Sequence, residues 1–236
     1  MLRFFRSDKD QRIKNKIELV SVHIPKTAGT SFRNILKTIY GEEAVVRIDI
    51  PSKSKVRVNQ EDFKESQLDK HIKVAHGHFS PEKLQHHFKV SPEVPVITWL
   101  RDPVERVISN YYYLEKILQG IIKEEERGVN ILSKMQCSLV EYASREICRN
   151  RMSKFLAGIE LEELRFVGIQ EYFSEDLQLM GKALGWPDVK ELYHNATGKT
   201  KREVSEAERA EISRLNEIDI EIYQRALALR NLKPKH

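Results

Sequence analysis

One short loop of this chain combines a lysine, a glycine and several hydroxyl side chains directly after an apolar, β-branched segment. The segment covers residues 17–24, and the loop after it has the sequence Pro25-Lys26-Thr27-Ala28-Gly29-Thr30-Ser31. Small residues allow backbone N–H groups to approach an anion, and a helix that follows directs the positive end of its dipole at that anion. An amphipathic helical pattern does follow, over residues 32–40. The pattern therefore predicts a phosphate-binding strand–loop–helix unit.

The order of the residues in this loop differs from that of a nucleotide kinase. The Walker loop has the order G-x-x-x-x-G-K-[ST], in which the lysine follows the second glycine. Here Lys26 precedes Gly29, which is the only glycine of the loop. The inverted order argues against a P-loop-type kinase of small molecules, which remains an alternative that a dependence on ATP and magnesium would reveal.

A second strand-and-helix pattern carries an arginine and a serine. Residues 94–100 form a short apolar run that ends at Arg101, and a helical pattern over residues 104–119 includes Ser109. An arginine at the end of a strand can bind a phosphate with two parallel hydrogen bonds. A serine about two turns into the next helix can face the same anion. This second pattern therefore predicts another phosphate-binding position.

Together the two patterns resemble the cofactor-binding motifs of the sulfotransferases that use 3′-phosphoadenosine 5′-phosphosulfate (PAPS). Arg101 and Ser109 match the family's ligands of the 3′-phosphate. The resemblance implies that Lys26 stabilises the departing phosphate oxygen, and that the 5′-phosphosulfate is bound by Lys26, Thr27, Ala28, Gly29, Thr30 and Ser31. It also implies PAPS as the cofactor, PAP as the product and no metal.

A His-Gly-His triplet lies near the end of another apolar run, residues 73–79. A histidine can take the proton of an acceptor hydroxyl near neutral pH. The triplet resembles that of the uronyl and heparan sulfate 2-O-sulfotransferases, which implies His78 as the catalytic base and His76 as a supporting or acceptor-side residue. From the residues alone a structural histidine pair is an alternative, since alternation along a strand puts both side chains on one face. A metal site would need a third ligand, from His86-His87.

Two further segments extend the resemblance towards the C-terminus. Residues 149–158 are similar to a family segment that implies acceptor-side roles for Asn150 and Lys154. Lys154 stands where arginine is usual, and a lysine cannot bind an anion bidentately. The basic loop over residues 194–202 resembles one that closes over the adenosine and the 3′-phosphate, which implies cofactor contacts for Lys199, Thr200 and Lys201.

Short apolar runs alternate with helical patterns along the chain. The predicted strands are residues 18–24, 73–79, 94–100 and 165–170, and the predicted helices are residues 32–40, 104–119, 132–156, 174–184 and 205–229. This alternation predicts an α/β fold, with a P-loop-like parallel β-sheet flanked by helices as in the sulfotransferase fold. Ligands of such sheets bind beyond the C-terminal ends of the strands, where both motifs lie. We expect an N-terminal extension over residues 1–16 and a single domain over residues 17–236.

The composition is that of a soluble globular protein with anionic partners. The 236 residues include 40% hydrophobic and 32% charged residues, and the net charge is +5. The basic residues are dispersed, so a phosphorylated cofactor explains the charge as well as nucleic acid does, and we expect no nucleic-acid partner. No run approaches the ~20 apolar residues of a membrane span, and the first residues lack the apolar core of a signal peptide. We therefore expect a soluble, cytoplasmic protein.

These patterns predict a PAPS-dependent O-sulfotransferase. Its acceptor would be a hydroxyl group of a carbohydrate or small polyol, an acceptor class that the resemblance of the His-Gly-His triplet implies. The sequence specifies neither the individual acceptor nor the oligomeric state. Besides the small-molecule kinase, a non-catalytic module that binds PAP or another nucleotide remains an alternative, which tight PAP binding without sulfate transfer would favour.

Overall fold

The computed structural model of the chain describes residues 17–124, 137–189 and 203–232. The N-terminal extension expected over residues 1–16 lies outside the described residues, as do Lys199, Thr200, Lys201 and the beginning of the helix predicted over residues 132–156. Within the described ranges, no helix is both long and apolar enough to cross a membrane.

A seven-stranded sheet forms the centre of the fold. Its strands are β1 Leu19–Val22, β2 Val45–Ser52, β3 Lys55–Val58, β4 Glu61–Asp62, β5 Val74–His78, β6 Val96–Leu100 and β7 Phe166–Ile169. They lie in the order β4-β3-β2-β5-β1-β6-β7. The strands β2, β5, β1, β6 and β7 are parallel, whereas β3 and β4 pair antiparallel at one edge. The predicted α/β fold with a parallel sheet is confirmed, and the antiparallel edge adds to it.

The four predicted strands correspond to β1, β5, β6 and β7, whereas β2, β3 and β4 were not expected. Strand β2 has a recognisable pattern, because Val46, Ile48 and Ile50 are buried while Arg47 and Asp49 between them are half-buried. It lies directly beside β5, with Asp49 opposite His78 in the register. The unpredicted strand therefore contributes side chains to the same edge of the sheet as the histidine triplet.

Helices cover the sheet. The described α-helices are α1 Gly29–Tyr40, α2 Pro81–Phe88, α3 Pro103–Glu124, α4 Leu139–Ser144, α5 Arg151–Phe155, α6 Phe173–Leu184, α7 Glu206–Arg214 and α8 Glu217–Leu232. Helix α3 begins as its sequence predicts, because the Glu105 N–H donates to Asp102 Oδ1 at 2.9 Å and Pro103 occupies the first turn. Helix α7 begins with a capping box formed by Ser205 and Glu208.

Two predicted helices are each divided, and buried polar contacts explain the divisions. In place of one helix over residues 132–156, the described part has α4 and α5, because Arg145 is extended and Asn150 is left-handed with φ 47°. In place of one helix over residues 205–229, α7 and α8 meet at Asn216. The Asn216 side chain is fully buried, donates to the Ile212 carbonyl and accepts from the Asn150 N–H. Such local bonds compete with a continuous helix.

Apolar side chains pack on both faces of the sheet. On one face, Phe32 and Leu36 of α1 pack with Trp99 of β6 and Phe173 of α6. On the other face, α2 covers β2 and β5, while α5 and α8 cover β6 and β7. This double coverage explains the continuous apolar strands. It also leaves the C-terminal ends of β5, β1 and β6 side by side at one edge.

Candidate active site

The loop between β1 and α1 presents unsatisfied N–H groups at the edge of the sheet. Lys26 and Ala28 have left-handed backbones, with φ 73° and φ 62°. Ala28 is the N-cap of α1 and supplies no side-chain cap. The first-turn N–H groups, from Gly29 to Ser31, therefore lack an intrahelical partner, and with the helix dipole they favour an anion. The predicted phosphate loop has the backbone geometry that anion binding needs.

Two of the predicted loop residues, Thr27 and Gly29, contact other residues of the protein. Thr27 is buried, and its hydroxyl donates to the Ile24 carbonyl at 2.8 Å. Gly29 packs against His23, because a Cβ on Gly29 would lie 1.9 Å from His23 Nε2. The His23 N–H in turn donates to the Gly77 carbonyl at 2.8 Å. His23 therefore connects the two segments, because its ring contacts the phosphate loop and its backbone N–H bonds to β5.

Lys26 and Arg101 meet across β1 and β6. Arg101 Nη1 donates to the Lys26 carbonyl at 3.3 Å, and Lys26 Nζ lies 3.9 Å from the centroid of the Tyr113 ring. Burial and the Arg101 guanidinium lower the pKa of Lys26, and burial also lowers the pKa of Arg101. Neither cation forms an ion pair with any carboxylate of the described residues. Glu171, Glu105 and Asp102 offset the effect of burial on the pKa of Arg101 only in part, so two adjacent, partly desolvated cations here favour an anionic ligand.

The first turns of α3 bring Ser109 to the same site. Ser109 and Tyr113 are one turn apart and therefore share a helix face, and Tyr113 contacts Lys26. Ser109 is half-buried on that face. The sequence alone does not identify Tyr113 as a site residue, because three successive tyrosines at 111–113 are typical of packing. Only the tertiary contact with Lys26 distinguishes it from its neighbours.

Three histidine rings stack beside the phosphate loop. The ring centroids of His23 and His76 are 5.2 Å apart, and those of His23 and His78 are 4.5 Å apart. His76 is buried with its Nδ1 2.9 Å from Ser21 Oγ, and burial lowers its pKa to about 3. Burial, with the neighbouring histidines, likewise lowers the pKa of His23 to about 2. The side chain of His78 is 27% exposed, so this member of the stack is open to solvent at the edge of the sheet.

The histidine stack does not have the geometry of a metal site. Its rings face one another, so their nitrogens do not converge on one point. Across residues 17–124, 137–189 and 203–232, no group of three or more histidine, cysteine or acidic side chains is placed to hold a metal ion.

Strand β2 adds a carboxylate and a guanidinium to His78. His78 Nδ1 lies 2.8 Å from Asp49 Oδ1, and Arg47 Nε donates to Asp49 Oδ2 at 2.8 Å. Burial would raise the pKa of Asp49, but the bonds from His78 and Arg47 outweigh it and lower the pKa to about 2. Neither Asp49 nor Arg47 was predicted as a site residue, because strand β2 was not predicted. The alternation at residues 46–50 was the available signal.

The acceptor-side residues predicted from the C-terminal half take part in other contacts. Asn150 Oδ1 accepts from the Asp219 N–H at 3.3 Å, and Lys154 Nζ donates to the Glu146 carbonyl at 2.6 Å. Neither side chain contacts Lys26, Arg101 or His78 in the described structure. The same helix does reach His78 through Phe155, whose ring centroid lies 6.1 Å from that of His78. The Arg151 guanidinium lies 5.1 Å from the Phe155 ring centroid.

Comparison with known proteins identifies the family. A family model described as the sulfotransferase family matches residues 9–225 of this chain. Among solved structures, a sulfotransferase from Alicyclobacillus acidocaldarius is similar, with 16% sequence identity and a TM-score of 0.49, over 92% of this chain and 97% of that chain. A comparison with curated proteins gave no match. Since the family model matches most of the chain, this chain belongs to the sulfotransferase family, whose members are enzymes that transfer sulfuryl groups.

Proposed function

We propose that this protein is a PAPS-dependent O-sulfotransferase that acts on a hydroxyl group of a carbohydrate or small polyol. One observation carries the proposal: Lys26 and Arg101 meet at the uncapped start of α1 without a carboxylate partner among the described residues. PAPS has two anionic centres, a 5′-phosphosulfate and a 3′-phosphate. Two adjacent cations and a row of free N–H groups match that chemistry.

The residues present offer a separate set of partners to each anionic group of PAPS. Lys26 and the first-turn N–H groups of Gly29, Thr30 and Ser31 would hold the phosphosulfate. Arg101 and Ser109 would hold the 3′-phosphate, and Lys199, Thr200 and Lys201 would cover it. When bound, PAPS supplies a sulfuryl group whose bond to a phosphate oxygen breaks in line as its bond to the acceptor oxygen forms.

Two side chains at the edge of the sheet would assist the transfer itself. Lys26 would offset the negative charge that grows on the departing phosphate oxygen, and such a preorganised cation lowers the barrier. His78 would take the proton of the acceptor hydroxyl. A shared site for these two side chains is supported by His23, which packs beneath Gly29 of the phosphate loop and stacks on His78 at 4.5 Å.

The acceptor class rests on the surroundings of His78 and on the His-Gly-His resemblance. Arg47 and Asp49 place polar groups beside this histidine, as binding of a polyhydroxylated acceptor requires. Acceptor roles for His76, Asn150 and Lys154 remain predictions. Both cysteines are free thiols, which agrees with a reducing compartment such as the cytoplasm.

Calorimetric titration with PAP, and separately with ATP and magnesium, tests the donor site. We expect the wild-type chain to bind PAP with micromolar or lower Kd. Arg101→Ala should weaken that binding by at least about 10-fold, because a hydrogen bond to a charged group contributes about 1.5–3 kcal/mol. Arg214→Ala is the matched control, since Arg214 is a surface arginine paired with Glu211 on one helix, and it should bind PAP like the wild type.

Transfer of radiolabelled sulfate from PAPS to a panel of carbohydrates and polyols then tests turnover. Binding of ATP with magnesium, in the absence of PAP binding, would overturn the proposal in favour of a small-molecule kinase. PAP binding without transfer to any acceptor would favour a non-catalytic nucleotide-binding module.

A further inference from the structure

Asp49 and His78 face each other on adjacent parallel strands. The register of β2 and β5 places Asp49 opposite His78 and Arg47 opposite His76. The His78 backbone N–H also lies 3.4 Å from Asp49 Oδ1, the oxygen that is 2.8 Å from His78 Nδ1. A contact between two paired strands is held by the sheet itself, so the carboxylate and the imidazole keep their relative positions.

The two oxygens of the Asp49 carboxylate have different partners. Oδ1 faces His78, whereas Oδ2 accepts from Arg47 Nε at 2.8 Å. With its pKa lowered to about 2, Asp49 is ionised at neutral pH and can only accept hydrogen bonds. Arg47 therefore fixes the rotamer of a carboxylate that is only 16% exposed.

These contacts decide which nitrogen of His78 carries the proton. Arg47 Nη2 is also near His78 Nδ1, but at 3.4 Å, while the Asp49 oxygen is at 2.8 Å. A neutral imidazole has one donor and one acceptor nitrogen. Since the nearer partner of Nδ1 is an ionised acceptor, Nδ1 carries the hydrogen, and the lone pair lies on Nε2.

The His23 ring fixes the orientation of the His78 plane. Its centroid is 4.5 Å from that of His78, with 29° between the ring planes. His23 stays neutral because burial and the neighbouring histidines lower its pKa to about 2, so it does not compete for the acceptor proton. The charged and titratable groups around His78 in the described residues are thus Asp49 and Arg47 on β2, His23 after β1, and His76, which stacks on the other side of His23.

The geometry points to Asp49 as a positioning residue that holds His78 with Nε2 free to take the proton of the acceptor hydroxyl, an inference that rests on the proposed function. As the acceptor oxygen loses its proton, Nε2 gains it, and Nδ1 keeps its own hydrogen bonded to Asp49. The carboxylate then stabilises the imidazolium without being protonated. Asp49 acts through His78 and does not touch the acceptor.

Nitrogen-15 NMR of the histidine side chains tests this inference without any substrate. The spectrum is recorded at about pH 8.5, where an ordinary imidazole is neutral, and the His78 signals are those lost in His78→Asn. We expect a protonated Nδ1 and an unprotonated Nε2 for His78 in the wild type. Asp49→Asn should lose this preference. Asp62→Asn, which removes a carboxylate that pairs with Arg57 on the same sheet, should keep it.

Kinetics with PAPS and an acceptor from the panel supply the second measurement. In Asp49→Asn we expect kcat to fall by about 10- to 100-fold, because a general base contributes about 10²–10⁴-fold and only its positioning is lost. The KM for PAPS should change less than about twofold, and Asp62→Asn should match the wild type. Arg47→Gln should lower kcat less than Asp49→Asn, since Asp49 remains in place.

The outcomes separate this inference from the proposed function. A wild-type spectrum with the proton on Nε2, or an Asp49→Asn variant with unchanged kcat, would overturn the positioning role even in an active sulfotransferase. A spectrum with the proton on Nδ1 supports the tautomer whatever the reaction. If no acceptor is sulfated, the proposed function fails, and so does the role of Asp49 in positioning a catalytic base. The wild-type spectrum does not depend on whether any variant folds.

Discussion

The ammonium group of Lys26 lies 3.9 Å from the centroid of the Tyr113 ring, so helix α3 holds the side chain of the phosphate loop's lysine. A cation over an aromatic face is attracted by the negative face of the ring. Burial and the nearby Arg101 guanidinium lower the pKa of Lys26, and the ring opposes this by favouring the charged form. The contact also restricts a flexible side chain before any ligand arrives.

Removing the Tyr113 ring should therefore weaken PAP binding. We expect Tyr113→Ala to raise the Kd for PAP by about two- to fivefold, because an exposed cation–π contact contributes about 0.5–1 kcal/mol. Tyr113→Phe keeps the ring and should bind like the wild type. Leu114→Ala, at the exposed neighbouring position, is the control in the calorimetric titration. Equal weakening in the Phe and Ala variants would assign the effect to the hydroxyl group instead.

A methyl group at position 29 should disrupt the loop. The Cβ of Gly29→Ala would lie 1.9 Å from His23 Nε2, so either the loop or the ring must move. We expect a loss of about 1–3 kcal/mol in the free energy of unfolding, as for overpacked cores, together with loss of PAP binding. Urea denaturation and calorimetry measure the two effects. Gly181→Ala is the control, because its Cβ would come no closer to another residue than 3.3 Å, to a Val189 methyl group.

A double-mutant cycle identifies the cause of that loss. If the His23 ring is the obstacle, Gly29→Ala should cost much less stability in a His23→Ala background than in the wild type. An equal cost in both backgrounds would mean that the alanine clashes with something other than the ring.

The buried histidines should make the protein sensitive to mild acid. Their pKa values are lowered, to about 2 for His23 and about 3 for His76, chiefly by burial. In the unfolded chain the pKa of a histidine is about 6.5. Below that pH these two histidines bind protons in the unfolded state but not in the folded state. Stability must then fall as the pH drops from about 6.5 towards about 3. Asp49, whose pKa is lowered to about 2, loses its contribution only at pH values below about 4.

Urea unfolding at pH 7 and pH 5 measures this effect. We expect the free energy of unfolding to fall by roughly 2–4 kcal/mol between the two pH values, if both histidines contribute. The fall should be smaller in His76→Asn and unchanged in His71→Asn, which replaces an exposed histidine. An unchanged fall in His76→Asn would assign the acid sensitivity to other groups.

The sequence patterns predicted the strands that are buried on both faces. The apolar runs of β1, β5, β6 and β7 are local signals, and so is the cap of α3 at Asp102. The divisions at Asn150 and Asn216 were not predictable in the same way. Each depends on a hydrogen bond between distant parts of the chain, and a pattern of apolar residues does not show such a bond.

The candidate site was predictable where the chemistry is local to a motif. Lys26, Arg101 and His78 each lie at or just after the end of a predicted strand, so a parallel sheet brings them to one edge. The partners of these residues were not predictable. The contact of Asp49 with His78 requires the register of β2 against β5, and the contact of Tyr113 with Lys26 requires the docking of α3.

Asn150 allows a structural role to be separated from acceptor binding. Its backbone is left-handed, its N–H donates to Asn216 Oδ1, and its Oδ1 accepts from the Asp219 N–H. Asn150→Ala should lower the free energy of unfolding by about 1–2 kcal/mol, because alanine resists this conformation and the side-chain bond is lost. Asn150→Gly keeps the conformation at little steric cost and should lose less. Urea denaturation ranks the two variants.

The kinetics of the same two variants decide the role of the side chain. If Asn150 only joins α5 to α8, both variants should retain the wild-type kcat/KM for the acceptor and the wild-type Kd for PAP. If Asn150 binds the acceptor, kcat/KM should fall by at least about 10-fold in both variants, since both lose the amide. The Kd for PAP would then stay unchanged, and the loss of activity would not follow the loss of stability. Only that second pattern would place Asn150 at the acceptor.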